Sequence, residues 1–146
     1  MDNICLKKIW EDEGLIELFV IAQSKYATIK QTCYISTDDL KNNSDIIKLY
    51  IQSNVQTYVE FGKIEGNYSP AFSMKLYPCD DYGHLDIEVD MEIADNKTRA
   101  HRCKFFVNTE LGMLEKFGNN LNSIIEMEID KCIFLHDQGK LKFLDE

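Results

Sequence analysis

The stretch His84–Ala94 reads HLDIEVDMEIA, and no other part of the chain limits the fold as strongly. Leu85, Ile87, Val89, Met91 and Ile93 are apolar, while Asp86, Glu88, Asp90 and Glu92 between them are acidic. Side chains alternate sides along a strand, so this period of two predicts a β-strand with one face in a core and one in water. Such a strand belongs inside an antiparallel sheet, which the rest of the chain must supply.

The flanking residues supply it. Ile4–Trp10, Leu15–Gln23 and Ala27–Ser36 read as three strands, with a polar turn at Glu11–Gly14 after the first. Ser36-Thr37-Asp38-Asp39 then starts a helix, because a hydroxyl can cap free amides and carboxylates suit the positive end. Its apolar face is Leu40, Ile47, Ile51 and Val55, with Tyr50 beside them, and Asn42-Asn43-Ser44 should weaken its first turns. Thr57–Gly62 and Ala71–Pro78 are strands around a polar loop, and Thr98–Asn108 is the return strand after His84–Ala94. Asn108-Thr109-Glu110 resembles a second cap, before a helix with the stripe Leu111, Leu114, Gly118, Leu121 and Ile125. Gly118 predicts close approach of that helix to the sheet. Glu126–Leu135, a loop at Asp137-Gln138-Gly139 and Leu141–Leu144 predict a closing hairpin. The order β-β-β-α-β-β-β-β-α-β-β gives an α+β class with a mainly antiparallel β-sheet and two helices, in a single domain over residues 1–146.

A register follows if Ala94 faces Thr98. Val89 then meets Cys103, Ile87 meets Phe105 and Leu85 meets Val107, while Asp90 meets Arg102 and Glu88 meets Lys104. A slip of one residue would put acids against core residues. On the other flank, Leu76 opposite Leu85 brings Lys75 opposite Asp86.

Sixteen basic and 25 acidic residues leave a net charge of −9. This argues against a nucleic-acid ligand, which needs clustered Lys and Arg, and suits a basic protein partner. The five cysteines are scattered and form no C-x-x-C pattern, no signal-peptide pattern opens the sequence, and the apolar run Leu15–Ala22 is short and carries Glu17. The expectation is a reduced, cytoplasmic protein with no membrane association.

Signs of catalysis are sparse. Cys79-Asp80-Asp81-Tyr82-Gly83-His84 mixes possible ligands, but its spacing fits no metal pattern, and turn chemistry explains Asp-Asp and Gly. Cys103 beside His101 suggests a nucleophile pair, yet the register points Cys103 into the core. The acidic row has spacings of about 7 Å that suit a carboxylate pair, but a solvated row matched by Lys75, Arg102 and Lys104 lacks the burial that tunes a catalytic acid. With no phosphate loop, G-x-S-x-G or H-E-x-x-H, the reading is a binding protein, not an enzyme, with no metal and no cofactor.

Several features recur together: Trp10-Glu11-Asp12 ending a short strand, Leu15-Ile16-Glu17-Leu18, a capped helix after Tyr34-Ile35-Ser36, Gly83-His84 opening a strand, and Phe105-Phe106-Val107 before a helix with Leu114 and Phe117. In these the chain resembles the WapI-like immunity proteins of bacterial polymorphic and contact-dependent toxin systems. The resemblance implies a cytoplasmic protein that binds the basic C-terminal domain of its own strain's toxin, an RNase acting on tRNA, and blocks it. It supplies no catalytic residues. Two surfaces are candidates for the toxin: the row Asp86, Glu88, Asp90 and Glu92, and the loops with Asp80, Asp81, Tyr82, Asp95 and Tyr68. Two other classes stay open: a small-molecule or enzymatic domain with a pocket between sheet and helices, and an adaptor or homodimer paired through a strand edge. The expected state is a monomer or weak dimer.

Overall fold

The computed structural model describes residues 2–62, 71–93, 98 and 101–136. Among them are β1 (Asn3–Asp12), β2 (Leu15–Gln23), β3 (Thr28–Ser36), α1 (Thr37–Ser53), β4 (Thr57–Phe61), β5 (Ala71–Leu76), β6 (His84–Ile93), β7 (His101–Glu110), α2 (Leu111–Glu126) and β8 (Cys132–Phe134). The strands form two four-stranded antiparallel sheets, ordered β3-β2-β1-β8 and β4-β5-β6-β7. This is the α+β, mainly antiparallel class that the alternation predicts.

The larger core lies between the sheets and the helices, and a small second cluster is built on Cys5 and Ile21. Leu6, Leu18 and Cys33 enter the larger core from the first sheet, Met74 and Val89 from the second, Ile47 from α1 and Phe117 from α2. The helices pack on each other, α1 also against β3 and β4, and α2 against β7 and β8.

The β1–β2 turn is tighter than Glu11–Gly14. Asp12 pairs with Leu15, leaving Glu13 and Gly14 as a two-residue loop at φ of 44° and 84°. Two positive φ values give the turn whose twist matches that of the flanking strands. The ladder shifts between Lys8 and Trp10. This bulge reverses the inside–outside alternation, so Lys8 points inward with Ile4 and Leu6 while Trp10 points outward.

Lys8 is fully buried and its charge is well partnered. Its Nζ donates to the carbonyls of Ile124, Ile125 and Met127 at 3.0, 3.1 and 2.8 Å, and lies 2.8 Å from Glu11 Oε2. A cation from β1 therefore holds the carbonyl end of α2, where unpaired oxygens and the helix dipole favour positive charge.

Ser36 caps α1 as predicted, accepting from Asp39 N at 3.1 Å. The Asn42-Asn43-Ser44 run does not loosen the helix, because Asn43 and Ser44 are buried and used. Asn43 Nδ2 donates to Glu60 O at 2.9 Å, and Ser44 Oγ accepts from Asn122 Nδ2 at 3.1 Å. Val55 lies beyond the helix and is exposed.

Five further expectations are corrected. The β6–β7 register is offset by two residues, pairing Val89 with Phe105, Ile87 with Val107 and Met91 with Cys103. Likewise Leu76 pairs with Ile87, and Lys75 faces Glu88. A two-residue offset keeps every side chain on its predicted face, so hydrophobic pattern alone cannot distinguish the two registers. Asn108-Thr109-Glu110 is no cap: β7 runs on to Glu110, which pairs with His84, and the first amide of α2 donates to Gly83 O at 2.8 Å. Gly118 does mark a close approach, but to α1, since a Cβ there would lie 2.7 Å from Ile47 Cγ2. Finally, Glu126 ends α2, so the Glu126–Leu135 strand shrinks to Cys132–Phe134. The proposed loop at 137–139 and strand at 141–144 lie outside the described residues.

Candidate functional site

The outer face of the second sheet carries the acidic row, and its register builds a mixed surface around it. Across the strands run Tyr58–Lys75–Glu88–Phe106 and Glu60–Ser73–Asp90–Lys104, with Asp86 opposite Asn108 and Glu92 opposite Arg102.

The row is not uniformly solvated, contrary to its reading as a water-facing strip. Asp90 is only 9% exposed. Arg102 donates to it in fork geometry, Nε to Oδ1 at 2.9 Å and a terminal nitrogen to Oδ2 at 2.6 Å, and Lys104 Nζ lies 3.8 Å away. Two parallel charge-assisted bonds make this the best-neutralised acid of the row. The Asp90 carboxylate in turn holds the Arg102 guanidinium above its usual pKa, by hydrogen bond first and charge second. Arg102 thus reaches Asp90 as predicted, but from a diagonal position, and Asp90 has little left to offer a partner.

The rest of the row grades outward. Glu92 and Glu88 are half-buried, and Asp86 is exposed and accepts a hydrogen bond from Asn108 Nδ2. Lys75, opposite Glu88, sets its amine 5.5 Å from the Tyr77 ring centre. Tyr77 packs on Phe106 with ring centres 5.9 Å apart, and Phe106 and Tyr58 are both about half-exposed. Burial raises the pKa of Tyr58 most, and Glu60 adds to the rise. Sequence reasoning missed Tyr58 and Phe106, although both lie on the outward phase of strands whose inner residues were assigned.

The loop before β6 meets the exposed end of this row. Asp80 Oδ1 accepts from Tyr82 N at 2.8 Å and His84 N at 2.9 Å, while Asp80 N donates to His84 O at 2.9 Å. These bonds, the one from His84 N foremost, hold the Asp80 carboxyl below its ordinary pKa. Asn54, in left-handed conformation after α1, ties the loop down by accepting from Cys79 N at 2.7 Å. Asp80 therefore builds the turn, and Asp81 and Tyr82 present outward, Tyr82 at 86% exposure. The two surfaces expected from sequence thus join at Tyr82, His84 and Asp86. Asp95 and Tyr68 lie outside the described residues.

The other candidate chemistry is placed as follows. His84 lies 3.6 Å from Asp80 and 3.8 Å from Glu110, and no three His, Cys, Asp or Glu residues converge as metal ligands among the described residues. All five cysteines are free thiols. Cys103 is half-buried opposite Met91, and burial pushes the Cys33 thiol up to about 12. An open groove of about 390 Å³, lined by Lys41, Asp45, Asn122, Ile125 and Glu126, runs between the two helices. No helix among the described residues is long and apolar enough to cross a membrane.

No family model matches the chain, and no curated protein matches it in sequence.

Proposed function

We propose that this chain is a cytoplasmic immunity protein, which binds a cognate secreted toxin domain, a basic tRNA-cleaving nuclease, and neutralises it by stoichiometric contact. The observation that carries the reading is the outer face of the second sheet, where Asp86 is exposed and Tyr58 and Phe106 are about half-exposed on the outer strands β4 and β7, with Asp81 and Tyr82 exposed in the turn that leads into β6. A nuclease must hold phosphates with Lys and Arg, and an acidic surface competes for those side chains. With a net charge of −9 the chain also attracts such a surface over distance, which speeds encounter. Partly exposed aromatic side chains then provide area to desolvate at the centre of the contact. Asp90, already neutralised by Arg102, sets the face's shape without competing for the partner's cations. On this reading the chain breaks no bond itself and works as a monomer or weak dimer.

The test is co-expression with the C-terminal domain of the toxin proposed as the partner. Wild-type protein should restore growth, and Asp86→Lys with Glu88→Lys should not. Growth arrest despite abundant folded wild-type protein contradicts the proposal.

A further inference from the structure

The outer face of the first sheet holds an arrangement that the proposed toxin contact does not use. The bulge between Lys8 and Trp10 turns Trp10 outward, and the register aligns Trp10, Glu17 and Tyr34 across β1, β2 and β3. The two rings stand edge to face, 6.1 Å between centres and 86° between planes. Trp10 is 41% and Tyr34 47% exposed, with Leu15 exposed beside them. Glu17, on the strand between the rings, is half-buried, and among the described residues no base lies within 4 Å of it.

Most of the neighbouring charges are acidic. Asp12 ends β1 and Glu13 stands in the adjacent two-residue loop, while Glu11 is paired with Lys8. Thr37 N donates to Gly14 O at 2.9 Å, which sets Asp38 and Asp39 of the first turn of α1 near the same edge. Of the two nearby lysines of β1, Lys8 points into the core, and Lys7 shares the outer face but reaches Asp130 at 3.9 Å. The negative potential is felt locally, since the charge of Glu17 is the largest cause of a raised Tyr34 hydroxyl pKa.

We propose that Trp10, Glu17 and Tyr34 form a second binding site, which takes an arginine side chain presented by a protein partner. A guanidinium stacks on aromatic faces and pairs with a carboxylate at the same time, whereas an ammonium offers no planar face. The second sheet shows the same pairing satisfied internally, since Asp90 lies mid-strand on an outer face and Arg102 reaches it. On the first sheet the acid and the aromatic rings are present, and no described residue pairs a base with that acid. This site is independent of the toxin reading, so either can fail alone.

Trp10 is the chain's only tryptophan, so its fluorescence reports on this site alone. The probe is a capped tetra-arginine peptide titrated into the full-length protein, with capped tetra-citrulline as the neutral isostere. The site predicts a saturable change with tetra-arginine and none with tetra-citrulline. Glu17→Gln and Tyr34→Ala, checked for folding by circular dichroism, should each weaken binding about fivefold or more. Asp86→Asn with Glu88→Gln should leave the titration unchanged. An unresponsive Trp10, or a Glu17→Gln variant that titrates like wild type, overturns the proposal. So does binding lost only in the Asp86/Glu88 variant.

Discussion

The two sheets have the same construction inside and opposite solutions outside. Each has four antiparallel strands and sends alternate apolar residues into a shared core. Each also carries an acid at mid-strand on its outer face. In the second sheet Asp90 is nearly buried because Arg102 and Lys104, from the adjacent strand, neutralise it. In the first sheet Glu17 sits between Trp10 and Tyr34, and among the described residues no base lies within 4 Å of it. Alternation decides which residues face out, and what a face can bind depends on which of its charges the protein has already paired.

This contrast requires one rigid core beneath both faces, so the largest effects should come from the elements the sheets share. Lys8→Ala removes the cation that holds three carbonyls at the end of α2 and should cost about 3 kcal/mol in denaturant unfolding, toward the low end because Glu11 can turn to water. Gly118→Ala should cost about 2 kcal/mol, since the added methyl meets Ile47. Ile47→Ala in the same chain should recover part of that loss, giving a less than additive double mutant.

Smaller effects address the faces themselves. Asp90→Ala should destabilise by about 1.5 kcal/mol, discounted because Arg102 is half-exposed, and Glu17→Gln should stay within about 0.5 kcal/mol of neutral. Equal costs would erase the distinction between an acid held by Arg102 and one with no base beside it among the described residues. The mildest effect is alkaline. Burial raises Cys33 from 9.0 to about 12 and Tyr50 from 10.0 to about 12, so the unfolded chain loses these protons first. Stability should hold below pH 9 and fall as pH rises from 9 toward 12. Cys33→Ala should flatten the early part of that fall.

Much of the fold was legible because it rests on local rules. The period of two placed β6 and its neighbours, and Ser36 with Asp38 and Asp39 marked α1. What escaped was set by tertiary contact. Two registers with the same facing differ only in loop length, so the β6–β7 offset could not be read from pattern. Thr109 looked like a cap, but its hydroxyl lies 3.1 Å from His136 Nε2 and Gly83 O satisfies the helix instead. Of the candidate site, the acidic row was visible and the pairing of Asp90 with Arg102 anticipated, but not the burial that results. Trp10 escaped as a surface residue because a single bulge reversed its direction.

The central claim is that the outer face of the second sheet holds a basic toxin domain. Calorimetric titration of that domain with wild-type protein and with Asp86→Lys/Glu88→Lys, at low and physiological salt, tests it most directly. The account predicts one-to-one binding, weakened by salt in the wild type, and at least about a hundredfold weaker for the variant. Equal affinity for both proteins, unchanged by salt, would contradict it.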